Sequence, residues 1–190
     1  KAAQQDISLK KNSLPRPVAK TDKEGIILTG ATGFLGAHIL KELLEQNKDK
    51  KEIYCLIRGE TELDARKRLC HVMETYFDKN TADIVSDESI IHVIAGDITD
   101  NPIDCIRQTL KQYPAAITQI LHTAALVKHY GDYKNFYHIN VEGTKNMLAV
   151  AETLGAEFLY ISTESVGGLY IDIRESEQNF NVVREFTEWD

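Results

Sequence analysis

Three glycines at three-residue spacing, Gly30, Gly33 and Gly36, follow the apolar run Ile26-Ile27-Leu28 and open a helical pattern. Residues in that order suit the holding of a nucleotide pyrophosphate. Gly30 permits a tight turn, Gly33 lets the backbone approach phosphates, and Gly36 lets strand and helix pack closely. The unpaired N–H groups and positive dipole end of the helix then face the anion. The whole turn, with Thr32, Phe34 and Leu35 between the glycines, is a candidate cofactor-binding segment.

Further candidates sit where other apolar runs end. Leu56-Ile57-Arg58 places a guanidinium where a fold preferring NAD would carry Asp or Glu for the ribose 2′-hydroxyl. Arg58 suits a 2′-phosphate instead, through charge-assisted hydrogen bonds. Arg68 is a candidate to close the same pocket, whereas Arg66 and Lys67 read as a solvated basic helix face. Glu60 is a nearby acidic competitor that keeps NAD open. In Gly96-Asp97-Ile98-Thr99, Asp97 could accept from an adenine amino group with Ile98 covering the ring, or could form an Asx-turn. In His122-Thr123-Ala124-Ala125, the small residues Ala124 and Ala125 let the backbone pass under a ribose or nicotinamide. His122 reads as a packed histidine with one backbone hydrogen bond, ahead of a catalytic or metal role, and the remaining histidines show no zinc spacing. Asn140 is either a solvated helix residue or a support for a water or the strand backbone beneath the site. A mid-helix glycine costs about 1 kcal/mol relative to Ala, so Gly143 calls for a packing reason. Thr163, in Ser162-Thr163-Glu164-Ser165, could polarise a substrate carbonyl or belong to a Ser/Thr-rich turn.

These positions need an alternating frame. The expected strands are Gly25–Thr29, Glu52–Arg58, Ile90–Ala95, Ala116–His122 and Glu157–Ser162. The expected helices are Gly33–Asn47, Leu63–Phe77, Ile103–Tyr113 with Pro102 at its first position, and one long helix Tyr133–Leu154 stopped by Gly155. Strand–helix alternation with right-handed crossovers predicts a doubly wound, Rossmann-type parallel α/β sheet in the order 3-2-1-4-5. Residues 1–24, with Pro15 and Pro17, read as a linker or docking arm, and 25–190 as the nucleotide-binding domain.

Composition narrows the partners. A net charge of −7 supplies no basic surplus for nucleic acid. No apolar stretch approaches the roughly 20 residues that span a membrane. Cys55, Cys70 and Cys105 are widely spaced in apolar segments and read as reduced thiols of a cytoplasmic protein. The chain starts at Lys1 without Met and is expected to be a piece of a longer polypeptide.

Together the glycine turn, Tyr54-Cys55-Leu56-Ile57-Arg58, Ala65-x-x-Arg68-Leu69, Gly96-Asp97, His122-Thr123-Ala124-Ala125, Asn140-x-x-Gly143-Thr144 and Ser162-Thr163 resemble the extended short-chain dehydrogenase/reductase superfamily. Within it, the chain looks most like the thioester reductase domains of nonribosomal peptide and polyketide synthetases and of carboxylic acid reductases. The resemblance implies NADPH as cofactor. It implies an acyl or peptidyl thioester on a phosphopantetheinyl carrier domain as partner, and reductive release as an aldehyde, which some members reduce on to an alcohol. It casts Thr163 as the catalytic hydroxyl that helps hold the carbonyl oxygen, and residues 1–24 as the arm after a carrier domain. It also implies a Tyr-x-x-x-Lys pair after Thr163, but Tyr170 has Arg174 at the fourth place and no such pair follows by Asp190. The chain is therefore expected to be the cofactor half of a reductase, without the C-terminal substrate domain and inactive alone. The alternatives are another extended member, such as a nucleotide-sugar epimerase or dehydratase or a fatty acyl reductase, and a non-catalytic nucleotide-binding module.

Overall fold

In a computed structural model, the described residues are 21–47, 50–128 and 130–162. They alternate as β1 (Glu24–Thr29), α1 (Phe34–Gln46), β2 (Glu52–Ile57), α2 (Glu62–Tyr76), α3 (Lys79–Ser86), β3 (Ile91–Ala95), α4 (Ile103–Gln112), β4 (Ala116–His122), α5 (Tyr133–Phe136), a π-helical segment (Tyr137–Glu142), α6 (Gly143–Leu154) and β5 (Glu157–Tyr160). The five strands lie in one unit that ends at Tyr160. Ile161 and Ser162 fall in a second unit, and Thr163, Tyr170 and Arg174 lie outside the described residues. So do residues 1–20 of the expected arm.

The sheet is parallel throughout in the order β3-β2-β1-β4-β5, as the alternation predicts. Strands β1, β2 and β3 are buried almost throughout because helices cover both faces there, the pattern of a parallel sheet, whereas the edge strand β5 is largely exposed. Successive side chains point to opposite faces, so Leu28, Cys55 and Val93 meet Leu40 of α1 and Leu69 and Met73 of α2. Ile27, Leu56 and Ile94 meet Ile106 of α4 and Met147 and Val150 of α6. Truncating one such buried aliphatic to Ala costs about 2–5 kcal/mol.

Four local expectations change. The helix expected to run unbroken over Tyr133–Leu154 is a short α-helical turn, a π-helical segment and then α6. A 3.6-residue apolar period does not reveal one extra residue per turn, which is what a π segment is. Pro102 sits at the N-cap of α4, with ψ near 2°, rather than at its first helical position. Helix α3 fills a stretch that carried no helical expectation; Asp78 caps it by accepting from the Thr81 N–H. Arg66 is buried rather than solvated, with its guanidinium donating to the carbonyls of Val85 and Ile91 and pairing with Glu62. The expected stop of the last helix holds, since Gly155 adopts the left-handed conformation with φ 65°.

Candidate cofactor site

The C-terminal ends of β1, β2, β3 and β4 converge on one cleft of about 440 Å³. This is the carboxyl edge beside the switch between β1 and β4, where open α/β sheets bind ligands. The glycine turn forms its back wall. Gly30 has φ +77°, which a side chain rarely tolerates, and its carbonyl accepts from the Gly33 N–H at 2.8 Å. A Cβ at position 36 would stand 2.0 Å from the Gly30 carbonyl oxygen, so only glycine lets α1 start this close to β1.

The turn is fitted to an anion. No side chain caps α1, and its first turn holds no carboxylate. The leading N–H groups of the helix are therefore left to whatever occupies the turn. A Cβ at Gly33 would meet nothing nearer than the Gly30 oxygen at 3.3 Å, so the cleft side of the turn is open to close approach. These features fit a dinucleotide pyrophosphate.

The structure brings together Gly30, Thr32, Gly33, Arg58, Arg68, Asp97, Ile98, Ala124 and Ala125 around the cleft. Phe34 and Leu35 do not line it. Their side chains are exposed, and Phe34 packs instead on His38, with ring centroids 4.4 Å apart. From these two residues, only the backbone N–H groups are placed to serve the turn. Gly36 acts through packing, and Asn140 lies one layer behind the wall.

Asp97 does form the Asx-turn: its Oδ1 accepts from the Thr99 N–H and hydroxyl, each at 3.0 Å. It lines the cleft as well, so the two readings of Asp97 are compatible. Gly143 has its packing reason in Ile98, whose Cδ1 would lie 2.7 Å from an added Cβ. Asn140 grips the chain after β4, with Oδ1 accepting from the Leu126 N–H at 2.7 Å and Nδ2 donating to the Leu126 carbonyl at 3.1 Å. It is a support for backbone, not a solvated residue. His122 is packed as expected, but its partners are side chains and not backbone: Nδ1 is 2.7 Å from the Thr29 hydroxyl and Nε2 is 3.1 Å from the Thr144 hydroxyl. Burial pushes its pKa down to about 4, which keeps the ring neutral.

Sequence reasoning missed Leu56, Ile57, Leu126, Lys128 and Ile139 as wall residues. Leu56 and Ile57 were legible as the end of a strand. Lys128 had no periodic signal, since it lies in the irregular segment after β4. The thiols stay inert: burial pushes Cys55 up to about 12 and raises Cys70 and Cys105 as well.

The family described as male sterility protein, an NAD-binding family, matches residues 28–184. The chain belongs to that family. Among related proteins, this male sterility family chain is 30% identical over 159 residues to isonitrile lipopeptide synthase of Mycobacterium tuberculosis, covering 80% of this chain and 6% of that protein. It is 31% identical over 157 residues to carboxylic acid reductase of Mycobacterium marinum, covering 79% and 13% respectively. A solved thiolation-reductase di-domain from an archaeal nonribosomal peptide synthetase superposes with a TM-score of 0.65 at 39% identity, covering 78% of this chain and 29% of that one. The chain thus spans a small part of the relatives it matches. The likeness to reductase domains of nonribosomal peptide synthetases and to carboxylic acid reductases is as the motifs implied. Among the described residues, no helix is long and apolar enough to cross a membrane.

Proposed function

We propose that the chain is the cofactor-binding part of an NADPH-dependent thioester reductase domain, which releases an acyl or peptidyl group from a phosphopantetheinyl carrier as an aldehyde. The carrying observation is that Arg58, just after β2, and Arg68, on α2, both line the cleft beside the glycine turn. Two guanidinium groups there suit a ribose 2′-phosphate, by bidentate charge-assisted hydrogen bonds. Glu60 is exposed and does not line the cleft, which favours NADPH over NADH.

Bound NADPH supplies the hydride. The cleft walls orient the nucleotide, with Asp97 and Ile98 at the adenine end and Ala124 and Ala125 at the other. The Thr163 hydroxyl holds the carbonyl oxygen by hydrogen bonding. In the net reaction the hydride adds to the thioester carbon, the carbon–sulfur bond breaks, and the thiol leaves with a proton. The proton donor is the tyrosine of the Tyr-x-x-x-Lys pair that the resemblance implies, and no such pair follows Thr163 within residues 1–190. Residues 1–24 form the arm that joins this domain to a carrier, and the free thiols suit work in the cytoplasm.

The test is cofactor choice followed by turnover. The full-length protein should bind NADPH at least about tenfold more tightly than NADH, and should consume it only with a carrier-bound acyl thioester, giving a trappable aldehyde. Preference for NADH would overturn the cofactor assignment. A full-length sequence without a Tyr-x-x-x-Lys pair beyond Thr163 would overturn the reductase reading.

A further inference from the structure

The hydrogen bonds of His122 run in one direction, and that direction is forced. The Thr144 hydroxyl lies 2.7 Å from the Asn140 carbonyl and 3.1 Å from His122 Nε2. A carbonyl oxygen only accepts, so the hydroxyl hydrogen goes to Asn140 and the hydroxyl oxygen accepts from Nε2–H. A neutral imidazole has one N–H, so Nδ1 is bare and accepts the Thr29 hydroxyl at 2.7 Å. The Thr29 oxygen is then free to accept the Ala124 N–H at 3.4 Å. The side chain of Asn140 closes the loop on Leu126.

The chain of bonds therefore begins at Ala124 and returns at Leu126, two residues that line the cleft. Its centre, His122, is fully buried, and the rings of Phe158 and Tyr160 lie near it at 5.5 and 5.6 Å. Its far end lies in the π-helical segment, a distortion that often marks functional sites. The two hydroxyl partners come from β1 and α6, so the ring ties both elements to the end of β4, from which the cleft floor runs on.

We propose that His122 is a positioning residue: by fixing one tautomer between Thr29 and Thr144, it holds the Ala124–Leu126 floor of the cleft where the cofactor needs it. This rests on the cofactor reading above, and it adds a role for the Thr144 hydroxyl, which does not itself line the cleft.

The test separates the two ends of the cofactor. Ala124–Leu126 follow β4, whereas Arg58 follows β2, on the other side of β1. In the full-length protein, Thr144→Val keeps the side-chain shape and removes the hydroxyl. It should weaken NADPH binding by about tenfold while leaving 2′,5′-ADP, which carries only the adenosine end, within about twofold. Thr144→Ser should restore NADPH binding. Equal weakening of both ligands, or unchanged NADPH binding in a Thr144→Val protein of unaltered melting temperature, would overturn the positioning role. If Thr144→Val does not fold, Thr29→Val removes the donor to Nδ1 and carries the same expectation. A wild-type protein that binds neither ligand would sink the cofactor reading itself, and the proposal with it.

Discussion

A Cβ at position 143 would fall 2.7 Å from Cδ1 and 2.9 Å from Cγ1 of Ile98, and Asn146 holds the Ile98 carbonyl at 2.8 Å. Helix α6 thus sets the place of a cleft-wall residue through a missing side chain. Gly143→Ala gains about 1 kcal/mol of helix propensity and pays it back in a clash with a flexible ethyl group. Ile98 lines the cleft, so displacing it alters the cleft wall. The melting temperature should move little, while affinity for NADPH falls several-fold. A strongly destabilised protein with unchanged affinity would contradict this.

Gly36→Ala should behave in the opposite way. Its Cβ would stand 2.0 Å from the Gly30 carbonyl oxygen and 2.6 Å from the carbonyl carbon, which are backbone atoms that do not rotate aside. A loss of at least about 3 kcal/mol is expected, with the nucleotide site lost as α1 shifts. Urea unfolding and a NADPH titration check both parts.

The arginines of this region divide by burial. Arg66 is 8% exposed and satisfies two buried carbonyls, so Arg66→Ala should cost about 2–4 kcal/mol in urea unfolding, mostly by orphaning those oxygens. Nucleotide affinity measured well below the transition should hardly change. Arg58 is exposed at the cleft, and Arg58→Ala should weaken NADPH by ten- to a hundredfold and leave NADH and the unfolding midpoint nearly unchanged.

Acid should weaken the fold through His122. Its ordinary value is 6.5 and burial lowers it to about 4 in the folded chain, so the unfolded chain takes up the proton first. Its share of stability is whole above pH 6.5 and is lost as pH falls toward 4, on the order of 3 kcal/mol in total. Burial raises Glu52, but hydrogen bonds from Lys23 and His92 outweigh it and hold the carboxyl low, so its stabilisation fades only below 4.5. The difference between wild type and His122→Asn in urea unfolding, followed from pH 7 to 4.5, isolates the histidine. A difference that stays flat over that range would exclude this titration.

The strand order and the glycine turn were legible in the sequence because both rest on local chemistry: apolar runs of strand length, and glycines where Cβ atoms do not fit. Arg66 was not, because only the arrival of α3 and β3 buries it. His122 was legible as packed, but its partners Thr29 and Thr144 stand 93 positions before and 22 after it, beyond any periodic signal. The π-helical segment was hidden for a related reason. Its apolar spacing reads as one continuous helix, and only the grip of Asn140 on Leu126 shows where that segment does its work.

The pairing of β1 with β4 also has a consequence for synthesis. The residues that floor the glycine turn follow it by some 90 positions, and the bond between Thr29 and His122 spans 93. Closing so long a loop precedes any reward from the contact. On the ribosome, the glycine turn is made before β4 and waits without a floor until that strand emerges. A dinucleotide held in this cleft would therefore have to wait for β4, and its binding would report that the sheet has been completed that far.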